Sequence, residues 1–329
     1  MTLLRDVSRR QFVKNGACSL AFAAIMARAG GTSPLRESPN TTPPDTDPSP
    51  ITAATDAAKH LRVAVNINAN GPYRFVVDTG ADRSVLATDV ADELGLLRGG
   101  MVTMEGVVRA ITAETVTVHE LSFGPVRSGP LIVPILPRSM LEADGYLGLD
   151  TLDGHRVTFD FKNHTLQVGE PRSKLKSLWV KQNESRIRTS GSSGHLRAVG
   201  CSVDGVDATA FIDTGAEVSA GNSSLLAALT GRRSTRYQID MMPLTDITGG
   251  EISGSVTTVK LIRLMDLEFT DCPLVIADFQ IFDVWGLHRH PALLIGMNFL
   301  RQFSRVSIDY GLKELRFDLA RLSPVTNVR

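Results

Sequence analysis

The chain has 329 residues, enough for two lobes of about 100–150 residues, each with its own core. Apolar residues make up 43% and charged residues 21%, the balance of an ordinary soluble globular protein. Lys+Arg and Asp+Glu both number 35, so no basic face or acidic tail argues for a nucleic-acid partner.

That neutrality hides a local asymmetry. Residues 1–29 carry Arg5, Arg9, Arg10, Lys14 and Arg28 against Asp6, and without them the chain holds 30 bases and 34 acids, a net of −4. The segment reads Ser8-Arg9-Arg10-Gln11-Phe12-Val13-Lys14, a mildly apolar run from Gly16 to Met26, and Ala27-Arg28-Ala29. This resembles a twin-arginine export signal with a small-x-small cleavage site. The apolar run is about half the ~20 residues that span a bilayer. The resemblance implies a periplasmic or secreted protein with no stable membrane span once the signal is removed. Without residues 1–29, Cys201 and Cys272 are the remaining cysteines. They fit either a disulfide in an oxidising compartment or two buried thiols.

Residues 30–60 are dominated by Pro, Thr, Ser and Asp and lack apolar periodicity, which predicts a disordered spacer. Ordered sequence begins near Leu61. Short runs rich in Val, Ile, Leu and Phe, bounded by Gly, Pro or Asn, predict strands at Leu61–Ile67, Tyr73–Val77, Thr115–Leu121, Leu131–Ile135 and Val157–Phe161. A helix is predicted from Thr88 to Leu94, stopped by Gly95. These elements make a first lobe over 61–170. The polar stretch 171–194, with Ser190-Gly191-Ser192-Ser193-Gly194, reads as a linker. A second lobe follows over 195–322.

The second lobe repeats the first. Phe75-Val76-Val77-Asp78-Thr79-Gly80-Ala81-Asp82-Arg83-Ser84 returns as Ala210-Phe211-Ile212-Asp213-Thr214-Gly215-Ala216-Glu217-Val218-Ser219. The helix returns as Ser223–Leu229, closely followed by Gly231. Tyr146-Leu147-Gly148-Leu149-Asp150 returns as Leu294-Ile295-Gly296-Met297-Asn298, and the strand after His155 returns after Ser304. The three blocks are offset by 135, 148 and 149 residues, so the second lobe carries an insertion between its first two blocks. Trp285 lies in that insertion, where an aromatic cluster either lines a pocket or caps the core.

An apolar strand running into Asp-Thr-Gly puts a carboxylate at the end of a buried strand. Burial disfavours its charged form and raises its pKa. Gly permits the sharp turn that follows, and the Thr hydroxyl can hydrogen-bond across to a partner loop. Two such loops brought together would give two carboxyl groups sharing a proton, one as general base on a water, the other as general acid toward a carbonyl.

Asp78-Thr79-Gly80-Ala81-Asp82 and Asp213-Thr214-Gly215-Ala216-Glu217, each followed 70–83 residues later by two apolar residues and Gly, resemble the retropepsin-type aspartic proteases in a fused, single-chain form. The resemblance covers residues 61–170 and 195–320. It implies an all-β fold of two β-barrel or sandwich lobes about a pseudo-twofold axis, with few short helices, and an endopeptidase that needs no metal or cofactor. Asp78 and Asp213 would be catalytic, in loops supported by Thr79, Gly80, Ala81, Thr214, Gly215 and Ala216. Asp82 and Glu217 would contact the substrate backbone, although the arginine that braces this acid in the family is replaced by Leu149 and Met297. Gly106 and the Gly249-Gly250 pair would sit in hairpin flaps over the cleft. The partner would be a peptide or protein substrate, and a monomer would suffice. Ala81 and Ala216 cannot donate a side-chain hydrogen bond to the carboxylates, as Ser or Thr there would, which predicts a working pH above that of pepsin.

The rival reading is a peptide-binding module with a protease-like fold and no catalysis, but neither motif has lost its Asp, Thr or Gly. A zinc enzyme lacks its sequence signature here: there is no His-Glu-x-x-His or Cys-x-x-Cys, and His288-Arg289-His290 reads as a solvated loop. Nucleophile elbows and phosphate-binding loops are likewise absent from the sequence.

Overall fold

A computed structural model describes residues 2–4, 26–27, 50–55, 60–172, 184–190, 197–232, 240–265 and 267–319. Most of the expected export signal, the spacer from 30 to 49 and parts of the linker lie outside these residues. Within 1–29, Thr2–Leu4 runs parallel to Leu267–Phe269 and Met26–Ala27 runs antiparallel to Met104–Glu105. Among the described residues, no helix is long and apolar enough to cross a membrane.

The fold is all-β with short helices, in two lobes built alike. Strand Leu61–Ile67 alternates buried and outward residues along its length, as a strand with one face on the core must. Asn70–Val77 instead ends in three consecutive buried residues, Phe75, Val76 and Val77, because its C-terminal half is covered on both faces. There it lies beside Gly145–Leu147 in parallel, with Phe75, Val76 and Val77 opposite Gly145, Tyr146 and Leu147. The second lobe repeats this pairing between Val206–Ile212 and Ala292–Ile295, with Phe211 opposite Leu294 and Ile212 opposite Ile295. In each lobe a third strand completes the unit, Val85–Ala87 in the first and Ala220–Gly221 in the second.

The first-lobe helix spans Thr88–Glu93 and is followed by Gly95 at φ +58°, the left-handed turn that ends helices at glycine. Its counterpart runs from Ser223 to Arg232, so Gly231 lies inside the helix and does not stop it.

The lobes share one antiparallel sheet, in the order 51–55, 165–169, 156–160, 303–309, 314–319, 184–190. Its central pair is the seam between lobes, where Arg305 Nη2 reaches Asp160 Oδ2 at 2.8 Å. Burial works against ionisation of Asp160, but the bonds from Arg305 and Asn163 outweigh it and hold the carboxyl below its ordinary value. The two outer strands correct the expected boundaries. Ile51–Thr55 falls in the stretch read as spacer, yet pairs with Leu61–Val63 and with Thr165–Leu166. Glu184–Ser190 falls in the stretch read as linker, yet pairs with 314–318 and hands over to Arg197–Ala198. Each outer strand thus ties its lobe to the common sheet.

Candidate active site

Each Asp-Thr-Gly loop hangs from the end of a parallel strand pair. The Asp78 N–H donates to Leu147 O and the Asp213 N–H to Ile295 O, both at 3.0 Å. The side chains are 0% and 1% exposed, and each accepts one short local bond at Oδ1: from Gly80 N–H for Asp78 and from Gly215 N–H for Asp213, both at 2.8 Å.

The threonines lock the loops together across the pseudo-twofold axis. Thr79 N–H donates to Thr214 Oγ1 at 3.1 Å, and Thr214 N–H donates to Thr79 Oγ1 at 3.0 Å. Each hydroxyl then donates onward into the opposite lobe, Thr214 to Val77 O at 2.8 Å and Thr79 to Ile212 O at 3.3 Å. A threonine in this place satisfies two buried backbone groups of the other lobe, which otherwise would be left unpaired.

The glycines set how closely the carboxyl groups approach. A Cβ added to Gly80 would lie 2.7 Å from Asp213 Cγ, and one added to Gly215 would lie 2.5 Å from Asp78 Cγ. Each carboxyl group therefore packs on the glycine of the opposite loop, and no larger residue fits without moving it. Burial, and then the nearby Asp213 charge, push the Asp78 carboxyl well above the ordinary range, outweighing the N–H groups of Gly80 and Ala81 that favour its anion. Two carboxyl groups in such a site cannot both ionise easily, so their protonation belongs to the pair. Tyr310 is also buried near them; burial and the Asp78 charge push its phenol well up.

Ala81 and Ala216 are fully buried, and their carbonyls accept the N–H of Leu149 and of Met297, both at 2.8 Å. Asp82 and Glu217 are half-buried beside them. Their carbonyls accept the N–H of Asp150 and Asn298 at 3.1 Å. In the two arginine positions Leu149 and Met297 are buried apolar residues.

Two residues beyond Asp82 and Glu217, Ser84 and Ser219 supply support that the sequence reading did not single out. Ser84 Oγ donates to Asp150 Oδ1 at 2.7 Å and accepts from Gly148 N–H at 3.1 Å. Ser219 Oγ donates to Asn298 Oδ1 at 2.7 Å and accepts from Gly296 N–H at 2.9 Å. Burial raises the Asp150 carboxyl despite the bonds from Ser84. The signal was present: both serines close the repeated first block, and Asp150 and Asn298 follow the repeated glycine by two.

Gly106 and Gly249-Gly250 lie at hairpin ends. The first hairpin is Arg98–Glu105 with Ala110–Val118, its end closed by Gly106 N–H to Arg109 O at 2.8 Å. The second is Asp240–Thr245 with Glu251–Leu264, its end closed by Asp246 N–H to Gly250 O at 3.0 Å.

Trp285 stacks on Phe211 at 4.0 Å and packs against the second-lobe apolar cluster, so it serves packing beside the Asp213 strand. Cys201 and Cys272 are buried, unbonded thiols, each pushed up to about 12, first by burial and then by a neighbouring aspartate. His288 Nδ1 lies 3.8 Å from Asp283 Oδ1, with both side chains largely exposed. Among the described residues no group of three or more His, Cys, Asp or Glu is placed to hold a metal.

The chain is similar in sequence to known proteins. The chain is 26% identical over 135 residues to Protein DNA-DAMAGE INDUCIBLE 1 of Arabidopsis thaliana, a stretch that covers 40% of this chain and 32% of that relative. A family model described as aspartyl protease matches residues 63–151 and 199–299, which together make more than half of the chain and contain both Asp-Thr-Gly loops. With two such loops locked across one axis, the chain belongs to the aspartyl protease family.

Proposed function

We propose that the protein is an aspartic endopeptidase that hydrolyses internal peptide bonds with a water activated between Asp78 and Asp213. The observation that carries this reading is the paired geometry of two buried carboxyl groups, each packed on the other loop's glycine, with Asp78 held toward its neutral form. In that state one carboxyl group is ionised and takes a proton from the attacking water. The other is protonated and donates to the carbonyl oxygen as the tetrahedral intermediate forms. Collapse of the intermediate returns the proton to the leaving nitrogen, with no covalent enzyme intermediate.

The role of Asp82 and Glu217 in holding substrate backbone, and of the hairpin ends in covering it, belongs to the same proposal. So does action as a monomer, because one chain supplies both loops. Incubation with a diverse peptide library from pH 3 to pH 7, with products read by mass spectrometry in H2(18)O, tests the reaction. Internal cleavage with one heavy oxygen in each new carboxyl group is expected; the absence of cleavage throughout that range would favour a peptide-binding module instead.

We further propose that residues 1–29 direct export by the twin-arginine route to the periplasm or medium. The support is the Arg9-Arg10 motif, the weak apolar run and Ala27-Arg28-Ala29. Replacing Arg9 and Arg10 by Lys should leave the protein in the cytoplasmic fraction of a host that has this route. Unchanged export would refute the assignment.

A further inference from the structure

The repeat builds the same backbone on both sides of the cleft but breaks its own chemistry at one position. Directly after Asp82 stands Arg83, and directly after Glu217 stands Val218. The two loops are held alike. A Cβ added to Gly148 would run into the Arg83 carbonyl, and one added to Gly296 would lie 2.7 Å from Val218 O. The next residue in each is a buried serine, bonded to Asp150 in the first lobe and to Asn298 in the second. The side chains then part. Val218 is 3% exposed and packs in the apolar cluster with Phe211, Ala216 and Leu294. Arg83 is half-buried and puts a guanidinium five residues beyond Asp78.

Little in the fold uses that charge. Among the described residues the Arg83 side chain makes no hydrogen bond or ion pair. Asp150 feels its field, which favours the carboxylate, but the Oδ1 of Asp150 is occupied by the N–H and hydroxyl of Ser84, at 2.9 and 2.7 Å. Asp150 therefore folds its own loop and leaves the guanidinium donors open. In the second lobe both charges are missing together, replaced by Val218 and Asn298.

We propose that Arg83 is a specificity-determining residue, which selects substrates with an Asp or Glu at one position on the first-lobe side of the scissile bond. The inference rests on the protease reading and on the role given there to Asp82. An extended chain turns alternate side chains to the same face, so a backbone running past Asp82 presents a side chain to the next residue of the loop. The guanidinium fork matches a carboxylate with two parallel N–H donors. Asp82 repels an acidic side chain, which confines the preference to the one position that the guanidinium reaches. Val218 offers nothing comparable, so the preference is one-sided. It gives the substrate a direction across a site that is otherwise nearly twofold.

The test uses the full chain beside Arg83→Gln and Arg83→Glu, with peptides that carry Glu, Gln or Lys in turn at each position around the cleaved bond. In the parent, Glu should exceed Gln by about fivefold in kcat/KM at a single position, through KM, the scale of one solvent-facing ion pair. High salt should erase the difference. Arg83→Gln should lose the preference, and Arg83→Glu should turn it toward Lys at that same position. A guanidinium that only supported Asp150 could not reverse a peptide preference. A parent with no acidic preference, or a preference that survives in Arg83→Glu, overturns the assignment. If nothing is cut, the protease reading fails separately, and affinities of the same Glu and Gln peptides by fluorescence anisotropy decide the role of Arg83. Tighter Glu peptides in the parent but not in Arg83→Gln uphold it; equal affinities, or no binding, overturn it.

Discussion

Replacing Thr214 by Val keeps the shape of the side chain and removes one oxygen. That oxygen accepts the Thr79 N–H and donates to Val77 O across the lobe boundary, in a place where Thr214 is 2% exposed. Leaving a buried polar group without its partner costs about 1–3 kcal/mol. Two such groups put the expected loss at about 2–6 kcal/mol, a large share of the roughly 5–15 kcal/mol that holds a typical domain folded. Thr214→Ser retains the oxygen and should lose under about 1.5 kcal/mol, mostly from the missing methyl. Urea unfolding followed by circular dichroism measures both. Because the bonds also set the approach of the two carboxyl groups, cleavage should fall at least tenfold in the Val variant under conditions where it is still folded. A Val variant as stable and as active as the Ser variant would refute the claim that the crossed threonine bonds hold the lobes in register.

Gly215→Ala places a Cβ 2.5 Å from Asp78 Cγ. The carboxyl group must shift, and cleavage should drop about a hundredfold or more; retention of half the activity in steady-state assays would mean that the loops separate easily. Ser219→Ala strands the buried Gly296 N–H, and should cost about 1–3 kcal/mol in urea unfolding, whereas an unchanged midpoint would show that water replaces the hydroxyl. Asp78 is raised in the folded protein, first by burial and then by Asp213. Between the ordinary aspartate value and that raised value the folded state holds more protons than the unfolded state, so stability falls as pH rises through the window. Comparing unfolding of the parent and Asp78→Asn from pH 3 to pH 7 should show the variant gaining relative stability as pH rises; parallel curves would contradict the assigned shift. The same neutral carboxyl group, with Ala81 and Ala216 offering no hydroxyl to its anion, places the optimum for cleavage in the mildly acidic to near-neutral range. An optimum below about pH 3 on a good substrate would contradict it.

The repeat made the site legible because its demands are local. A strand that must end buried, a carboxyl group and a glycine that must face a copy of itself all leave their mark within ten residues, twice. The strands Leu61–Ile67 and Leu131–Leu136 were readable for a similar reason, since burial of a face dictates their apolar residues. Glu184–Ser190 was not, because a strand at the outer edge of the shared sheet is held by backbone bonds to Glu314–Asp318 and needs little apolar sequence beyond Ile187. Ile51–Thr55 hid in the same way behind its Pro-rich approach. Gly231 lacks the left-handed conformation with which Gly95 ends the first-lobe helix, and a Cβ there would meet open space, so it marks neither a stop nor a packing constraint. The bond from Val108 N–H to Asp246 Oδ2 was invisible for a different reason. It depends on two hairpin ends meeting, and nothing in either hairpin's own pattern records where the other will be.

The central claim is that Asp78 and Asp213 act as one site. The most direct measurement is cleavage of a good peptide by the parent beside Asp78→Asn and Asp213→Asn, each checked for folding and for peptide binding. The account predicts that either substitution abolishes cleavage, by more than about a thousandfold, while the folded variant still binds the peptide. Substantial cleavage by either folded variant would contradict it, because a single carboxyl group would then suffice.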